Sequence, residues 1–409
     1  MKSFIEISLI SVLFLGGYLA DATRSYIVTL DYTTEAKVLD DHLGKVRKLF
    51  GSDQHPREKN KIKYVYRKVL TGYSAEFTDD VLAKVKEMKE VAGIESNQIG
   101  RSQAIQKGAP WGLVRLSSKS TLDGNKEWFY DHDPNAGKGV DVYVIDSGIK
   151  IDHPDFEGRA KWGKNFISNN DNDETNHGTH VAGIIGSKTY GVAKKSNLIA
   201  VKVTDTRESR NLDVFIAAVE WVVANKKEGR GCVINISLGV RYSTAFNTAV
   251  DNAVGLGCVV VVAAGNSNRD ACEVSPASAP KAITVGATNS ADERVWFSNW
   301  GRCVNLYAPG DNILSTSIHK NSESKMYDTF IDDIDDGMSD TSSDDLDEVM
   351  PGTSMAAPHV AGLAAIVLSK NKNLSPADVL KKIMDHATQH VKTKDGKDTQ
   401  DKLASSIGL

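Results

Sequence analysis

Val259-Val260-Val261-Val262-Ala263-Ala264 is an unbroken apolar run that closes on Gly265-Asn266. A strand that alternates polar and apolar residues buries one face. A strand apolar at every position must bury both, and that requires a layer of structure on each side. Other short runs share this composition: Val140–Ile145, which ends at Asp146, then Leu198–Val203, Val233–Ser237 and Ile283–Val285. Among them, Leu212–Lys226 and Phe246–Val254 carry apolar residues at helical spacing. Ser375-Pro376 adds an N-cap followed by proline at the first helical position. Strands alternating with helices predict an α/β fold, a doubly wound parallel sheet with helices on both faces.

Before Gly139 the pattern is different. Ser25–Leu30 alternates as a strand, Glu35–Phe50 has helical spacing, and Lys63–Thr78 holds two strand-like runs parted by Thr71-Gly72. Asp79–Glu90 reads as a second helix and Val91–Gln98 as a last strand. The order β-α-β-β-α-β predicts a small α+β, ferredoxin-like module over residues 23–103, ahead of a larger domain over 104–409. At the N-terminus, Lys2 precedes an apolar run from Ile7 to Leu19, and Ala20-Asp21-Ala22 supplies a small-x-small cleavage pattern. The run is too short for a membrane-spanning helix, and residues 1–22 are expected to be a signal peptide. No later stretch is long and apolar enough for a membrane span.

A net charge of −4 over 409 residues creates no field strong enough to recruit nucleic acid or an anionic membrane. Four cysteines in so long a chain do not make a disulfide scaffold. Residues 321–349 stand apart: Asp332, Asp333, Asp335, Asp336, Asp344, Asp345 and Asp347 fall among serines and threonines, the composition of a solvated acidic insertion. Because it ends just before Ser354, a sharper expectation is that it shades the leaving-group side of a cleft and favours basic substrates.

In an open α/β sheet, functional groups gather beyond the carboxyl ends of the strands. Asp146 ends one strand, in Val144-Ile145-Asp146-Ser147-Gly148, and Asn266 ends the most apolar one. His177, in Asn176-His177-Gly178-Thr179-His180, and Ser354, in Pro351-Gly352-Thr353-Ser354-Met355, each sit where a loop enters a helix. A serine hydroxyl is a poor nucleophile near neutral pH and needs a base within reach. Neutral His177 can take that proton and return it to a leaving amine, while Asp146 fixes the imidazole tautomer and stabilises the imidazolium. The Asn266 amide and the Ser354 backbone N–H suit the oxyanion that forms on attack. Taken singly, Asp146 reads equally as a strand-end cap, His177 as a packed helix histidine and Ser354 as an N-cap. Together, in the order Asp, His, Ser, they read as a catalytic set. His180 and His359, one turn further into the same helices, read as packed structural residues.

These motifs, with Ser237-Leu238-Gly239 and Phe297-Ser298-Asn299 between them, resemble the subtilisin-like serine protease family (S8), and within it the secreted proteinase K-like and cerevisin-like enzymes. The resemblance runs from about Ala109 to Leu368, and residues 25–103 resemble the family's inhibitory I9-type propeptide. It implies a subtilisin-like fold and a serine endopeptidase that hydrolyses peptide bonds through an acyl-enzyme. It also implies a self-processed zymogen, cut between Gln103 and Ala104, whose propeptide is an intramolecular inhibitor. Ser237, Leu238 and Gly239 with Ala263, Ala264 and Gly265 would wall the first specificity pocket, and substrate would pair as an added strand near residues 208–211. The glycines usual in the family at that edge are missing from residues 206–212, and Val240 replaces another. The implied partners are protein or peptide substrates of a monomer, in the secretory pathway, ending outside the cell or in a vacuole-like lumen.

No cofactor is required for this chemistry. The resemblance places a structural calcium near the main-chain oxygens of Pro280 and Ala282, but Asn305 stands where an aspartate is usual. It also pairs Cys272 with Cys303 as a disulfide. Cys232 and Cys258, at the starts of two apolar strands, read as buried free thiols. Asn235-Ile236-Ser237 is a glycosylation acceptor inside an expected core strand, and Asn373-Leu374-Ser375 is followed by Pro376. Two other functions compete. An inactive homologue would keep the fold as a binding module, against which the complete residue set argues. An esterase-type α/β hydrolase would need G-x-S-x-G and the order Ser, acid, His, neither of which the chain has.

Overall fold

The structure is a computed structural model that describes residues 24–31, 36–50, 60–97, 104–122, 128–205, 211–319, 346–389, 391–393 and 401–409. The expectations for residues 1–22, Gln103, 208–210 and 321–345 fall outside the described residues. The described residues form two compact units, one on either side of residues 98–103.

The first unit runs β1 (Arg24–Leu30), α1 (Ala36–Leu49), β2 (Lys61–Tyr66), β3 (Gly72–Phe77), α2 (Asp79–Lys86) and β4 (Val91–Ser96). The sheet is antiparallel, ordered β2-β3-β1-β4. Its alternating Tyr26, Val28 and Leu30 pack with Leu39, Leu43 and Val46 of α1 and with Val81, Leu82 and Val85 of α2. Both helices thus cover one face, as the α+β order predicts. α2 stops at Lys86, short of the expected Glu90, because residues 88–91 turn into β4 and the Glu90 carboxylate bonds back to Lys45 and the buried His42.

The second unit opens with β5 (Ala104–Lys107), α3 (Trp111–Leu116), β6 (Phe129–His132), β7 (Val140–Asp146), β8 (Ala160–Asn165), α4 (His177–Gly186) and β9 (Asn197–Lys202). There follow α5 (Leu212–Asn225), β10 (Gly231–Ile236), β11 (Val240–Arg241), α6 (Thr244–Gly255), β12 (Val259–Ala263), β13 (Val274–Ser275) and β14 (Ile283–Thr288). The unit closes with β15 (Leu306–Pro309), β16 (Ile313–Thr316), β17 (Asp347–Met350), α7 (Thr353–Lys370), α8 (Pro376–His386), β18 (Thr388–Gln389) and β19 (Lys402–Leu403). The main sheet has the order β18-β19-β15-β14-β12-β10-β7-β9-β8, parallel throughout except at the β18 edge.

Residue parity separates two cores. Val259, Val261 and Ala263 of β12 join Val140, Val142 and Val144 of β7 on the face covered by α4, α7 and α8. Val260 and Val262, with Tyr143 and Ile145, face α5 and α6 on the other side. Burying one such side chain is worth roughly 1.5–3 kcal/mol, so an all-apolar strand is stable only between two layers. Of the two aspartates in β7, Asp141 is accommodated by Arg230 and by the Asn197 amide, each at 2.7 Å. The chain enters the sheet at β7, builds β8 and β9 to one side, then crosses to build β10, β12, β14 and β15 on the other. The reversal lies between β7 and β10, and their carboxyl ends border the crevice where α/β sheets place their sites.

Cys272 and Cys303 are bonded as a disulfide. Cys232 and Cys258 are not the free thiols expected: they too form a disulfide. Val233 and Val259 are register partners in adjacent strands, so the residues just before them face each other, with Cα atoms 4.8 Å apart. Which two strands are neighbours is a property of the sheet that composition does not express. Alkylation without reductant is therefore expected to leave all four cysteines unlabelled in the intact mass. Serine at both 232 and 258 should lower stability by about 3.5 kcal/mol in denaturant titration, the loop-closure value for their separation of 26 residues.

Candidate active site

Asp146 is the last residue of β7 and is fully buried. Its Oδ1 accepts the Ser147 N–H at 2.8 Å and the Nδ1–H of His177 at 2.7 Å. With Nδ1 donating, the neutral ring presents Nε2 as its basic nitrogen. The imidazole keeps 29% of its surface exposed above the covered carboxylate, so it can meet a substrate.

His177 is the first residue of α4, and the loop before it is tied down from two sides. Asp173, itself buried, accepts the Ser147 hydroxyl (2.8 Å), the Asn176 N–H (3.1 Å), and the Thr179 N–H and hydroxyl (2.9 and 2.6 Å). The Ser147 hydroxyl in turn accepts the Gly178 N–H at 2.9 Å, so the end of β7 and the start of α4 share one network. Asn176 has φ 69°, a left-handed conformation that asparagine tolerates better than most residues. Its amide donates to Glu348 and its Oδ1 accepts the Ile318 N–H at 2.7 Å. Glu348 belongs to β17, which pairs antiparallel with β16. The end of the acidic insertion is therefore a strand rather than loop, fixed by Asp347 accepting from Tyr190 and by the Glu348 carbonyl bonding His180.

Ser354 lies in the first turn of α7, where N–H groups have no intrahelical partner. Its Oγ donates to the Ser237 carbonyl at 2.9 Å, and the Ser237 hydroxyl donates to the Ser354 carbonyl at 2.9 Å. Asn266 follows β12. Its Oδ1 accepts the Thr353 N–H at 2.9 Å and the Thr353 hydroxyl at 2.7 Å, leaving the Nδ2 donors for a ligand beside Ser354. The Thr353 hydroxyl also accepts the Gly265 N–H. Gly352, at φ 149°, has a backbone conformation that side chains rarely adopt, and a Cβ there would approach Asn266 Nδ2 at 3.4 Å. Ser237, Leu238 and Gly239 leave the carboxyl end of β10, while Ala263 ends the adjacent β12 and Ala264 and Gly265 follow it. Asn299 braces the latter segment through its amide bond to the Ala264 carbonyl, 2.8 Å.

α4 and α7 pack side by side on one face of the sheet. The two histidines inside them are buried: burial lowers the His180 pKa to about 3 and that of His359 to about 4, so both stay neutral. His180 bonds the carbonyls of Ile313 and Glu348, and His359 that of Met355. At the position expected to hold calcium, Asn305 Oδ1 accepts the Thr284 N–H at 2.7 Å. That amide oxygen thus already serves the backbone, and it brings none of the negative charge that an aspartate would offer a hard cation.

The Subtilase family model matches residues 137–406, and the Peptidase inhibitor I9 model matches residues 25–102. This chain belongs to the subtilase family. The cuticle-degrading protease of Metarhizium anisopliae is 41% identical over 340 residues, covering 82% of this chain and 80% of that protein. Cerevisin of Saccharomyces cerevisiae is 39% identical over 346 residues, covering 79% of this chain and 51% of cerevisin. The crystal structure of a cold-adapted subtilisin-like serine proteinase superposes with a TM-score of 0.61 at 38% identity, covering 74% of this chain and 99% of that one.

The subtilase is thus a serine-type protease carrying an I9 propeptide domain. Among its described residues no helix is long and apolar enough to cross a membrane. The supporting residues Ser147, Asp173, Thr353 and Glu348 were not singled out from sequence. Ser147 and Thr353 adjoin motif residues and Asp173 lies four before His177, a signal that was available. Glu348 lay among acidic neighbours and had no local mark.

Proposed function

We propose that this subtilase is a secreted endopeptidase, made as a self-processed zymogen, in which Asp146, His177 and Ser354 form the catalytic triad and Asn266 the oxyanion hole. The observation that carries the reading is the 2.7 Å bond from His177 Nδ1 to the fully buried Asp146 carboxylate. It prepares Nε2 as the base. When a peptide enters, the Ser354 Oγ–H turns from the Ser237 carbonyl to that nitrogen. Oγ then attacks the scissile carbonyl as its proton passes to His177, and the carbonyl oxygen becomes an oxyanion. Asn266 Nδ2 and the Ser354 N–H receive it, and each such donor is worth about 2.7–4 kcal/mol of barrier, a value taken from a subtilisin. The imidazolium returns the proton to the leaving amine as the C–N bond breaks. Water then attacks the ester carbonyl as its proton passes to His177, and the imidazolium returns that proton to Ser354 Oγ as the ester C–O bond breaks, releasing the acid and restoring the serine.

Segments 237–239 and 263–265 wall the pocket for the residue before the scissile bond, and no cofactor enters the reaction. The substrates are proteins and peptides bound extended by a monomer. Cleavage between Gln103 and Ala104 frees the N-terminus of the mature enzyme, and the I9 domain inhibits it until removed. The apolar segment 7–19 and two disulfides support a secretory route, since disulfides persist in oxidising compartments. A fluorophosphonate probe, which reacts only with an activated serine, should label the matured protein on Ser354 alone. A properly folded, matured protein that resists the probe would overturn the reading in favour of an inactive binding module.

A further inference from the structure

α7 carries a proline, Pro358, as its sixth residue, within a stretch that is almost wholly buried. An interior proline has no N–H for the carbonyl four residues back, and its ring presses against that carbonyl. Four residues before Pro358 is Ser354. The helix therefore withholds a hydrogen bond from the very residue proposed as nucleophile. A buried carbonyl left without a donor is costly, so the missing bond needs a substitute.

Ser237 supplies it. Its hydroxyl, on a residue only 2% exposed, donates to the Ser354 carbonyl at 2.9 Å. The same Oγ accepts the amide of the fully buried Asn235 at 3.0 Å, which directs the hydroxyl hydrogen away from Asn235 and toward Ser354. Ser237 also acts through its backbone, its carbonyl accepting the Ser354 Oγ–H at 2.9 Å. We infer that Pro358 and Ser237 are a matched pair: the proline removes the helical bond at Ser354, and the Ser237 hydroxyl replaces it from the strand end. The nucleophile is thereby referenced to the β10 segment that also walls the first pocket, instead of to its own helix. A peptide laid against 237–239 and the attacking oxygen then share one frame, which keeps their separation constant. The Ser237 side chain touches no reacting atom, so it is a positioning residue. The inference rests on Ser354 being the nucleophile.

The test compares Ser237→Ala, Pro358→Ala and the double variant, each expressed as the full precursor, matured, and active-site titrated on a chromogenic peptide. Ser237→Ala is expected to lower kcat about ten- to a hundred-fold with KM within about three-fold, because the orphaned carbonyl lets Ser354 shift. Pro358→Ala alone should stay within about three-fold of the parent. In the double variant, residue 358 again has an N–H for the Ser354 carbonyl, and kcat should recover to within about three-fold of the parent. An unchanged kcat in Ser237→Ala, or a double variant as slow as Ser237→Ala, would overturn the inference. Should Ser237→Ala not accumulate, Ser237→Thr and Ser237→Cys replace it. Threonine keeps the donor and should be at least about ten-fold faster than Ser237→Cys. Cysteine, a weak donor, should lose rate and regain it with Pro358→Ala, and a cysteine variant at full rate refutes the pairing. Retained hydrolysis in Ser354→Ala would refute the nucleophile assignment, a result separate from all of these.

Discussion

Ser354→Ala is expected to lower kcat about a million-fold, the scale set by removing the nucleophile of a subtilisin, and to leave the precursor uncut when it is purified alone. Alanine removes only the Oγ. The Asp146–His177 bond, the Asn266–Thr353 bonds and the packing of α7 do not involve that atom, so the fold and substrate binding should persist. What remains is catalysis by the oxyanion hole and binding alone. Two measurements check this: initial rates on a peptide substrate, and the mass of the purified chain. Parent protein should end at a mature chain starting near Ala104, whereas the variant should retain residues 23–103. Traces of parent enzyme added in trans should then cut the variant, which shows that the junction is accessible and only the nucleophile was missing. Normal processing of isolated Ser354→Ala would mean another protease does the cutting, and the zymogen would not be self-processed.

Asp146→Ala is expected to lower kcat about 3 × 10⁴-fold with little change in KM, again on the scale of the corresponding subtilisin change. The carboxylate lies beneath the imidazole, fully buried, and presents nothing to a substrate, so ground-state binding should not register its loss. The transition state should. In the proposed mechanism His177 becomes positively charged as it takes the serine proton, and Asp146 Oδ1, 2.7 Å away, would steady that charge and hold the ring. Asp146→Asn tests charge and tautomer together, because the amide oxygen can keep the Ser147 N–H while the amide nitrogen donates to His177 Nδ1 and moves the ring proton to Nε2, so a loss of about 10⁴-fold in kcat is expected. A rise in KM matching the fall in kcat/KM would instead show that Asp146 supports the cleft as a whole. Circular dichroism and thermal unfolding of the variant distinguish that outcome from global loss of structure.

The parallel sheet was legible because β12 is apolar on both faces and because strands and helices alternate with clear periodicity from residue 139 onward. The triad candidates were legible for another reason: each is a polar residue placed where an apolar element ends or begins, and such breaks in pattern mark sites. The first unit could be read from strand alternation and helical spacing, down to the order of its elements. Shorter elements carry no periodicity to detect. β8, β15 and the ribbon of β16 with β17 went unrecognised, the last because its partner strand emerges from an acidic stretch whose composition argues for loop. Cys232 and Cys258 were misread since each resembles an apolar strand residue until the sheet order sets one opposite the other.

Local chemistry in this subtilase, then, was determined by sequence: which residues can donate, accept or titrate, which runs must be covered on two sides, and which helix position lacks an N–H. Adjacency was decided only by the tertiary structure. That β10 lies between β7 and β12, that Ser237 reaches the carbonyl Pro358 leaves unbonded, and that Glu348 meets Asn176 all follow from long-range packing. Hydrogen bonds act over about 3 Å while their partners stand more than a hundred residues apart. No feature within either segment encodes the other; the folded core brings them together.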